Sequence, residues 1–281
     1  MITDERRVAL ITGASSGIGA AFARKLSSQG YDLILVARRK EKLKQLATEL
    51  QTQFRVDTEV LIADLSEPVD LARVEKHIAE LTNLELVVNN AGFGVPGKFV
   101  EAQLDKTMAM IDVHIIASTR LAHAVLPAMI KRSKGVIINV ASIGGFIPRP
   151  QDAVYCASKA YLIAFSQALQ GELTDTGVRV QVLCPGFVPT EFLDSPEYQQ
   201  LGMKNKIPKW LWSPAEAVVQ ASLRALNRDQ VVCIPGFKNR VIVTLGRSGL
   251  ATTLLKILAN KLRDSSRIPV SSQPLKKEST S

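Results

Sequence analysis

Short apolar runs alternate along this chain with longer amphipathic stretches. The runs 33–36 and 136–138 contain only Leu, Ile and Val, which is typical of strands that are buried on both faces of a sheet. The stretch 40–53 is rich in Lys, Glu and Gln, with Leu at helical spacing. Strands that alternate with helices indicate a parallel sheet with helices on both faces. Because the crossovers of such sheets are right-handed, we predict a doubly wound, Rossmann-type α/β fold with three layers.

Seven strands and six helices are expected from this pattern. The strands cover 8–12, 32–37, 58–62, 84–89, 135–141, 178–184 and 231–234. The helices cover 17–29, 40–53, 69–81, 104–131, 153–174 and 214–227. Ligands bind doubly wound sheets at the carboxyl ends of the strands, where the winding direction reverses. The residues that follow the strands are therefore the first candidates for a functional site.

Length and composition bound the domain organisation. Of the 281 residues, 46% are hydrophobic and 22% charged, which fits a globular protein and excludes disordered, collagen-like and disulfide-stapled classes. We expect a single cofactor-binding catalytic domain over 1–239 that includes a substrate lid near 190–213. A basic, amphipathic extension over 240–281 follows, and we expect its end to be disordered because it is rich in Ser, Pro and Lys.

Neither a secretory signal nor a membrane-spanning segment is expected. Acidic residues precede the first apolar run, unlike the pattern of a signal peptide, and no run of about 18 uncharged apolar residues occurs. The three cysteines form no Cys-x-x-Cys pair and fit a reducing compartment. We therefore expect a cytoplasmic protein.

Positive charge is concentrated at one end of the chain. The net charge is +9, and the extension 240–281 holds eight basic and two acidic residues. A nucleic-acid enzyme spreads basic charge over its working face, so no nucleic-acid partner is expected. Apolar residues from Leu250 to Leu262 fall mostly on one helical face, with Lys256 and Arg263 opposite. Such a helix fits either peripheral contact with an anionic membrane or docking on the enzyme body or a second subunit.

A glycine-rich segment follows the first strand and opens the first helix. Residues 12–19 are Thr-Gly-Ala-Ser-Ser-Gly-Ile-Gly. Glycines let the chain turn sharply and let backbone amides approach a pyrophosphate, and the helix N-terminus adds N–H donors and partial positive charge. The alternative is a turn that only joins strand to helix. We predict a dinucleotide phosphate site formed by Gly13, Ser15, Ser16, Gly17, Ile18 and Gly19.

The residues after the second strand indicate which dinucleotide binds. NAD sites place an acid here to accept the ribose 2′-hydroxyl, whereas this chain has Arg38, Arg39 and Lys40. A guanidinium binds a phosphate bidentately, so we predict that Arg38 and Arg39 select NADP(H) over NAD(H). A solvated basic start to the next helix is the alternative, although the helix dipole opposes it. Asp64, after the third strand, is either an acceptor for the adenine amino group or a turn and capping residue.

Two candidate catalytic groups share one helix face. Tyr155 and Lys159 are four residues apart within the expected helix 153–174, so phenol and ammonium point to one place. A neighbouring cation lowers the tyrosine pKa from about 10, which suits a general acid or base acting on a carbonyl. Ser142 follows a buried strand, where its hydroxyl is placed to hydrogen-bond a substrate oxygen. The alternative is a serine that only begins a turn.

Five motifs, taken in order, resemble the short-chain dehydrogenase/reductase family from about residue 8 to about residue 235. They are Thr-Gly-x-x-x-Gly-x-Gly at 12–19, Asn-Asn-Ala-Gly at 89–92, a serine thirteen residues before the tyrosine, Tyr-x-x-x-Lys itself, and Pro-Gly at 185–186. The resemblance implies NAD(P)-dependent transfer of a hydride between a nicotinamide and a carbonyl or secondary alcohol. Family members are often dimers or tetramers.

The resemblance also implies a role for each matched residue. Tyr155 would be the proton donor or acceptor, Lys159 would hold the nicotinamide ribose and lower the Tyr155 pKa, and Ser142 would orient the substrate carbonyl. Asp64 and Leu65 would contact the adenine, and Asn90, beside Ala91 and Gly92, would contact the adenosine ribose. The residues implied to contact the nicotinamide are Pro185, Gly186, Val188 and Thr190.

One position departs from the family pattern. Members often carry an asparagine thirteen residues before a proline of the long helix, as part of a proton relay through water, whereas counting back from Pro127 gives His114. The resemblance implies that the backbone carbonyl at this position takes part in the relay, and any residue supplies such a carbonyl. The His114 side chain either titrates near neutral pH and joins the relay or is a satisfied buried histidine. No metal site is expected, because the three histidines lack metal-ligand spacing.

The expected lid is strongly apolar. It contains Phe192, Leu193, Tyr198, Trp210 and Trp212, which predicts an apolar, acyl-like or steroid-like substrate unless these residues form a subunit contact. The sequence therefore predicts an NADP(H)-dependent oxidoreductase that acts on a small-molecule carbonyl or alcohol as a homodimer or homotetramer. A nucleotide-sensing or membrane-surface protein without turnover on the same fold is the alternative.

Overall fold

A seven-stranded parallel sheet organises residues 6–247, which are the residues that the computed structural model describes. Its strands are β1 (Val8–Thr12), β2 (Asp32–Ala37), β3 (Thr58–Ile62), β4 (Leu84–Asn89), β5 (Gly135–Val140), β6 (Val178–Leu183) and β7 (Val232–Cys233). They lie in the order β3-β2-β1-β4-β5-β6-β7, and every neighbouring pair is parallel. The predicted doubly wound α/β fold is confirmed.

Helices connect the strands and cover both faces of the sheet. They are α1 (Gly17–Ser27), α2 (Lys40–Phe54), α3 (Pro68–Ala79), α4 (Leu104–Ile111), α5 (Ser118–Lys131), α6 (Ala153–Glu172), α7 (Pro196–Gln200), α8 (Met203–Lys206), α9 (Ala215–Leu226) and α10 (Phe237–Arg247). Apart from the long helix expected over 104–131, every predicted element is present, with ends within about two residues of those expected.

The winding direction of the sheet reverses between β1 and β4. From β1 the chain builds outward to β2 and β3, and from β4 it builds outward to β7 on the other side. The residues directly after β1, β4 and β5 therefore border one crevice at the carboxyl edge. Leu10, Ile11, Leu33 and Ile34 are fully buried in the strands beneath it, so the crevice stands on a close-packed support.

The predicted helix 104–131 is interrupted at its middle. After α4 the backbone forms a π-helical turn at Asp112–Ala117 and only then enters α5. Such a turn holds one residue more per hydrogen-bonded ring than an α-helix and is frequent at functional sites. The sequence does not reveal it, because apolar residues continue through the turn. His114 lies in this turn and is 1% exposed.

The stretch Leu104–Lys131 is long and apolar enough to span a membrane by length and composition alone. Its α5 part, however, buries Leu121, Val125 and Met129 in the core beneath the sheet. A core helix of a globular domain meets the same criteria, and packing against the sheet accounts for the buried apolar residues of this stretch.

The last described helix, α10, packs onto the domain. It spans the boundary expected at 239/240 and buries Asn239 and Val243, and the Arg247 guanidinium lies 5.6 Å from the Phe146 ring centroid. The rest of the predicted amphipathic extension, 248–281, lies outside the described residues.

Candidate active site

A cavity of about 670 Å³ opens at the carboxyl edge of the sheet, within the usual range for small-molecule sites. Of the predicted site residues, all except Gly19 and His114 line it. They are Gly13, Ser15, Ser16, Gly17, Ile18, Arg38, Arg39, Asp64, Leu65, Asn90, Ala91, Gly92, Ser142, Tyr155, Lys159, Pro185, Gly186, Val188 and Thr190.

The glycine loop packs closely against the loops that follow β4 and β6. Gly13 and Gly17 have φ angles of 64° and 57°, in the left-handed region that glycine adopts without strain. A Cβ added at Gly13 would lie 2.8 Å from the Ala91 backbone, and one at Gly17 would lie 2.8 Å from the Thr190 methyl group. The loop leads into the N-terminus of α1, whose first N–H groups suit an anion.

Thr12 ties the loops after β1 and β4 together. Its hydroxyl accepts hydrogen bonds from the N–H groups of Asn90 and Ala91, both at 2.9 Å, and donates to the Val88 carbonyl at 3.3 Å. The Asn90 side chain donates back to the Thr12 carbonyl at 2.9 Å. Thr12 is 1% exposed, and a buried hydroxyl satisfied in this way fixes the separation of the two loops. Its signal in the sequence is the first position of the glycine motif.

Asp64 stabilises a turn and pairs with Arg38, which the sequence predicts to bind the 2′-phosphate. Its carboxylate accepts hydrogen bonds from the Ser66 N–H at 3.0 Å and the Ser66 hydroxyl at 2.6 Å, and it lies 3.2 Å from Arg38 Nη1. Burial raises the pKa of this carboxyl, but the Ser66 hydrogen bonds and the Arg38 pair outweigh it and hold the pKa below its usual value. The turn role that the sequence left open is present, and the carboxylate also lines the cavity.

Arg39 contacts both the glycine loop and the segment 190–213, which the sequence predicts to be a substrate lid. Its guanidinium donates to the hydroxyls of Ser15 and Ser16 at 2.8 and 2.7 Å, and it also pairs with the carboxylate of Glu191, which Lys42 contacts as well. These two cations lower the pKa of Glu191 to about 2. Sequence reasoning missed Glu191, because it lies 152 residues from Arg39 and a single acid after Thr190 carries no local signal.

Ser142, Tyr155 and Lys159 come together in the cavity. Tyr155 is 8% exposed and Lys159 is 4% exposed, and Lys159 Nζ lies 5.7 Å from the centroid of the Tyr155 ring. Lys159 Nζ donates to the Val140 carbonyl at 3.0 Å. Ser142 Oγ accepts from the Gly144 N–H at 3.0 Å and shares a hydrogen bond with Tyr155. The hydroxyl thus begins a turn and faces the phenol at the same time.

The expected lowering of the Tyr155 pKa is not found. Burial raises the pKa of this phenol to about 12, and the hydrogen bond with Ser142 offsets only part of the rise. Burial also lowers the pKa of the Lys159 ammonium to about 7, so near neutral pH this side chain is a cation only part of the time. The prediction was wrong because it counted the neighbouring charge and not the desolvation of both groups.

His114 lies behind Tyr155, with 5.8 Å between ring centroids, and both of its nitrogens are engaged. Nε2 accepts from the Phe93 N–H at 3.2 Å, so Nδ1 carries the proton and donates to Ser158 Oγ at 2.8 Å. Ser158 in turn donates to the Tyr155 carbonyl at 2.8 Å. Burial first, and then the charge of Lys159, place the His114 pKa well below 6.5. This geometry favours the alternative of a satisfied, neutral histidine.

Replacing His114 by asparagine is expected to reduce the fall in the free energy of unfolding as the pH decreases below 6.5. Below pH 6.5 the unfolded chain binds a proton at this residue and the folded chain does not, so the free energy of unfolding falls as the pH decreases toward the folded pKa. The slope for one proton is about 1.4 kcal/mol per pH unit. Urea unfolding of both proteins at pH 7 and pH 5 measures the difference. If the wild type and His114→Asn lose the same free energy of unfolding between pH 7 and pH 5, this assignment is contradicted. The exposed His123→Asn variant serves as the control.

Aromatic side chains of the lid cover Tyr155. Phe192 lies 5.7 Å from the Tyr155 ring and 5.5 Å from the Tyr198 ring, measured between centroids. Tyr198 is itself buried with Leu193 and Ile207 in a small cluster. The apolar residues that the sequence assigned to a substrate surface therefore also form a core of the lid.

A charged pair that sequence reasoning missed lies in the same cavity. Arg149 Nη2 is 2.8 Å from Asp152 Oδ2, and the Asp152 side chain is only 7% exposed. Both residues line the cavity with Tyr155. Arg149 Nε and Asp152 Oδ1 are buried without a hydrogen-bond partner among residues 6–247. The only signal in the sequence is an i,i+3 pair of opposite charge just before α6.

Related proteins match most of the chain. The family model described as short chain dehydrogenase matches residues 7–200. An uncharacterized oxidoreductase of Staphylococcus epidermidis is 36% identical over 218 residues, which are 77% of this chain and 91% of that protein. The very-long-chain 3-oxoacyl-CoA reductase of Anas platyrhynchos is 40% identical over 189 residues, 65% of this chain and 60% of that protein.

A further relative and a solved structure complete the comparison. The inactive hydroxysteroid dehydrogenase-like protein 1 of Homo sapiens is 36% identical over 192 residues, 68% of this chain and 58% of that protein. A short-chain dehydrogenase from Sphingobium yanoikuyae, solved in complex with NADPH, superimposes with a TM-score of 0.76 at 32% identity. That alignment covers 95% of this chain and 98% of the other.

Proposed function

The chain belongs to the short-chain dehydrogenase family, and we propose on this basis that it is an NADP(H)-dependent oxidoreductase. It transfers a hydride between the nicotinamide and a small-molecule carbonyl or secondary alcohol. The observation that carries the proposal is that Ser142, Tyr155 and Lys159 share one cavity with the glycine loop. Because one relative is named inactive, family membership alone does not establish turnover, and the catalytic role depends on this arrangement as well.

The residues present fit a dinucleotide that carries a 2′-phosphate. The glycine loop lines the cavity and leads into α1, whose N-terminus favours a pyrophosphate. Arg38 and Arg39 supply charge-assisted donors for the 2′-phosphate. The remaining residues that would hold the cofactor are Ser15, Ser16, Ile18, Asp64, Leu65, Asn90, Ala91, Gly92, Pro185, Gly186, Val188 and Thr190.

The chemistry of reduction divides between the cofactor and three side chains. When bound, the cofactor supplies the hydride that adds to the carbonyl carbon. Tyr155 donates its hydroxyl proton to the carbonyl oxygen, and Ser142 donates a hydrogen bond to the same atom as negative charge develops there. With a pKa of about 12, Tyr155 carries at neutral pH the proton that it donates in this step.

Lys159 stabilises the charge that Tyr155 is left with. Once the phenol has lost its proton, a cation at Lys159 favours the phenolate. Its pKa of about 7 lets Lys159 exchange a proton near neutral pH, and the hydrogen bond to the Val140 carbonyl fixes its Nζ. In this proposal the cation acts on the product of proton transfer and not on the resting phenol.

The substrate that fits the cavity is apolar over most of its length and carries one polar group. Phe192 and Tyr198 offer aromatic surface beside Tyr155. Arg149 and Asp152 also line the cavity and supply charged partners for such a polar group. The 3-oxoacyl-CoA reductase among the relatives supports including acyl substrates with steroid-like ones.

A substrate screen tests the proposed activity. NADPH oxidation is followed by absorbance with ketosteroids, aryl ketones and 3-oxoacyl thioesters of increasing chain length. We expect turnover with at least one apolar ketone, and faster turnover with NADPH than with NADH. Tight NADPH binding by calorimetry without turnover in any class would contradict the proposal and favour the alternative of a nucleotide-sensing protein.

For the extension over 240–281 we propose peripheral contact with anionic membranes by a cytoplasmic homo-oligomer. The support is its excess of basic residues on an amphipathic pattern. The full chain is expected to sediment with vesicles that contain phosphatidylserine, and replacement of Lys256, Lys261 and Arg263 by glutamate is expected to abolish this. Equal sedimentation of both proteins would refute the membrane contact, and light scattering gives the oligomeric state.

A further inference from the structure

The start of the lid is held on Arg39, one of the two arginines proposed to bind the cofactor 2′-phosphate, and on the neighbouring Lys42. Glu191 opens the 3₁₀ turn Glu191–Asp194, and its carboxylate pairs with the Arg39 guanidinium and the Lys42 ammonium. Arg39 reaches the hydroxyl of Ser16 in the glycine loop at the same time. A carboxylate on these cations takes the position that an anionic group of a ligand would take.

Glu191 is joined directly to residues on both sides of the site. The residue before it, Thr190, lies against Gly17 in the glycine loop. The ring of the residue after it, Phe192, lies 5.7 Å from the Tyr155 ring, measured between centroids. A displacement of Glu191 therefore shifts the chain over the nucleotide half and over the substrate half of the cavity.

The charges at this point favour exchange of the carboxylate for a phosphate. Hydrogen bonds from Lys42 and Arg39 keep Glu191 ionised, with a pKa of about 2. Both partners of the pair are nearly half exposed, and exposed ion pairs contribute little to stability. A phosphate carries more charge than a carboxylate and binds a guanidinium bidentately. Its charge would also repel the Glu191 carboxylate at short range.

We propose that Glu191 is a latch and a specificity-determining residue: it holds the lid on Arg39 and Lys42 until a 2′-phosphate displaces it. This inference rests on the proposed NADP(H) preference and deepens it, because NAD(H) lacks the group that releases the latch. Coupling between two sites is reciprocal. Loss of the Glu191 charge therefore strengthens binding of the 2′-phosphate and frees the lid.

Calorimetry with two adenosine nucleotides isolates the contribution of the phosphate. In Glu191→Gln, the Kd for 2′,5′-ADP is expected to fall by about fivefold or more, with the Kd for 5′-AMP unchanged. The control Asp194→Asn makes the same carboxylate-to-amide change in the same turn. Asp194 pairs with Lys204 at 2.8 Å and not with Arg39, so both affinities are expected to stay as in the wild type.

Amide hydrogen exchange of the full chain reports the lid directly. In the wild type, 2′,5′-ADP is expected to speed exchange across 191–207, whereas 5′-AMP is not, and Glu191→Gln is expected to exchange fast without ligand. Slower exchange with 2′,5′-ADP, or weaker binding in Glu191→Gln, would overturn the latch, since Glu191 would then orient Arg39 for the phosphate. A wild-type preference for 2′,5′-ADP that Glu191→Gln leaves unchanged would also overturn the latch but leave the cofactor proposal standing. Equal wild-type affinity for the two nucleotides would overturn both.

Discussion

Replacement of Tyr155 by phenylalanine is expected to lower kcat by about 100- to 10,000-fold, the range for loss of a positioned general acid. NADPH affinity is expected to be unchanged, because the substitution removes one oxygen and keeps the ring. The ring contacts with His114 and Phe192, at 5.8 and 5.7 Å between centroids, persist in the variant. Steady-state kinetics with the best ketone, together with NADPH titration by fluorescence, measure both quantities.

Tyr161 on the same helix provides the matched control. Its hydroxyl hydrogen-bonds Thr119 at 2.9 Å on the outer surface, and Tyr161→Phe removes the same atom without touching the cavity. We expect wild-type kinetics from this variant. A Tyr155→Phe enzyme that retains turnover within about threefold of wild type, a small part of the range above, would refute the assignment of Tyr155 as proton donor.

The double variant Arg38→Ala, Arg39→Ala is expected to raise the Kd for NADPH by at least about tenfold and to change that for NADH much less. Hydrogen bonds to charged groups contribute about 1.5–3 kcal/mol, and about 1.4 kcal/mol corresponds to a factor of ten. Only the 2′-phosphate of NADPH loses these donors. Calorimetry with each cofactor gives the two constants.

Separate variants distinguish phosphate binding from support of the glycine loop. Arg39 holds the hydroxyls of Ser15 and Ser16, so Arg39→Ala alone tests whether the loop depends on it. Lys40→Ala removes an equal charge from the next position, which is exposed, and is expected to leave both cofactors bound as before. If NADH and NADPH lose affinity equally in the double variant, the arginines do not recognise the 2′-phosphate.

Local patterns in the sequence were sufficient to predict the sheet and the residues on its carboxyl edge. Continuous apolar runs such as 33–36 identified strands, because strands that are buried on both faces consist mostly of apolar residues. Chain order and the rule for the switch point then brought Ser142 and the glycine loop to one edge. The i,i+4 spacing placed Tyr155 and Lys159 together, as the structure has them.

Contacts between distant segments and the effects of burial could not be predicted in this way. Glu191 reaches Arg39 only because the lid folds back over the nucleotide side, and no periodicity encodes that path. The Tyr155 pKa is raised by burial of the phenol in the folded chain. The charge of Lys159, considered alone, predicted a lowered pKa. The π-helical turn at Asp112–Ala117 contains no Pro or Gly that would mark it in the sequence.

That turn divides one continuous helix into two parts that are out of phase. Lys106 and Ala109 before the turn and Val113 within it line the cavity, whereas Leu121 and Val125 beyond it are held by the core. Deleting one residue there would let regular winding run through and rotate the first part by about 100° relative to the second. An insertion or deletion of one residue in this turn would therefore change which side chains of α4 face the cavity, while α5 keeps its packing against the sheet.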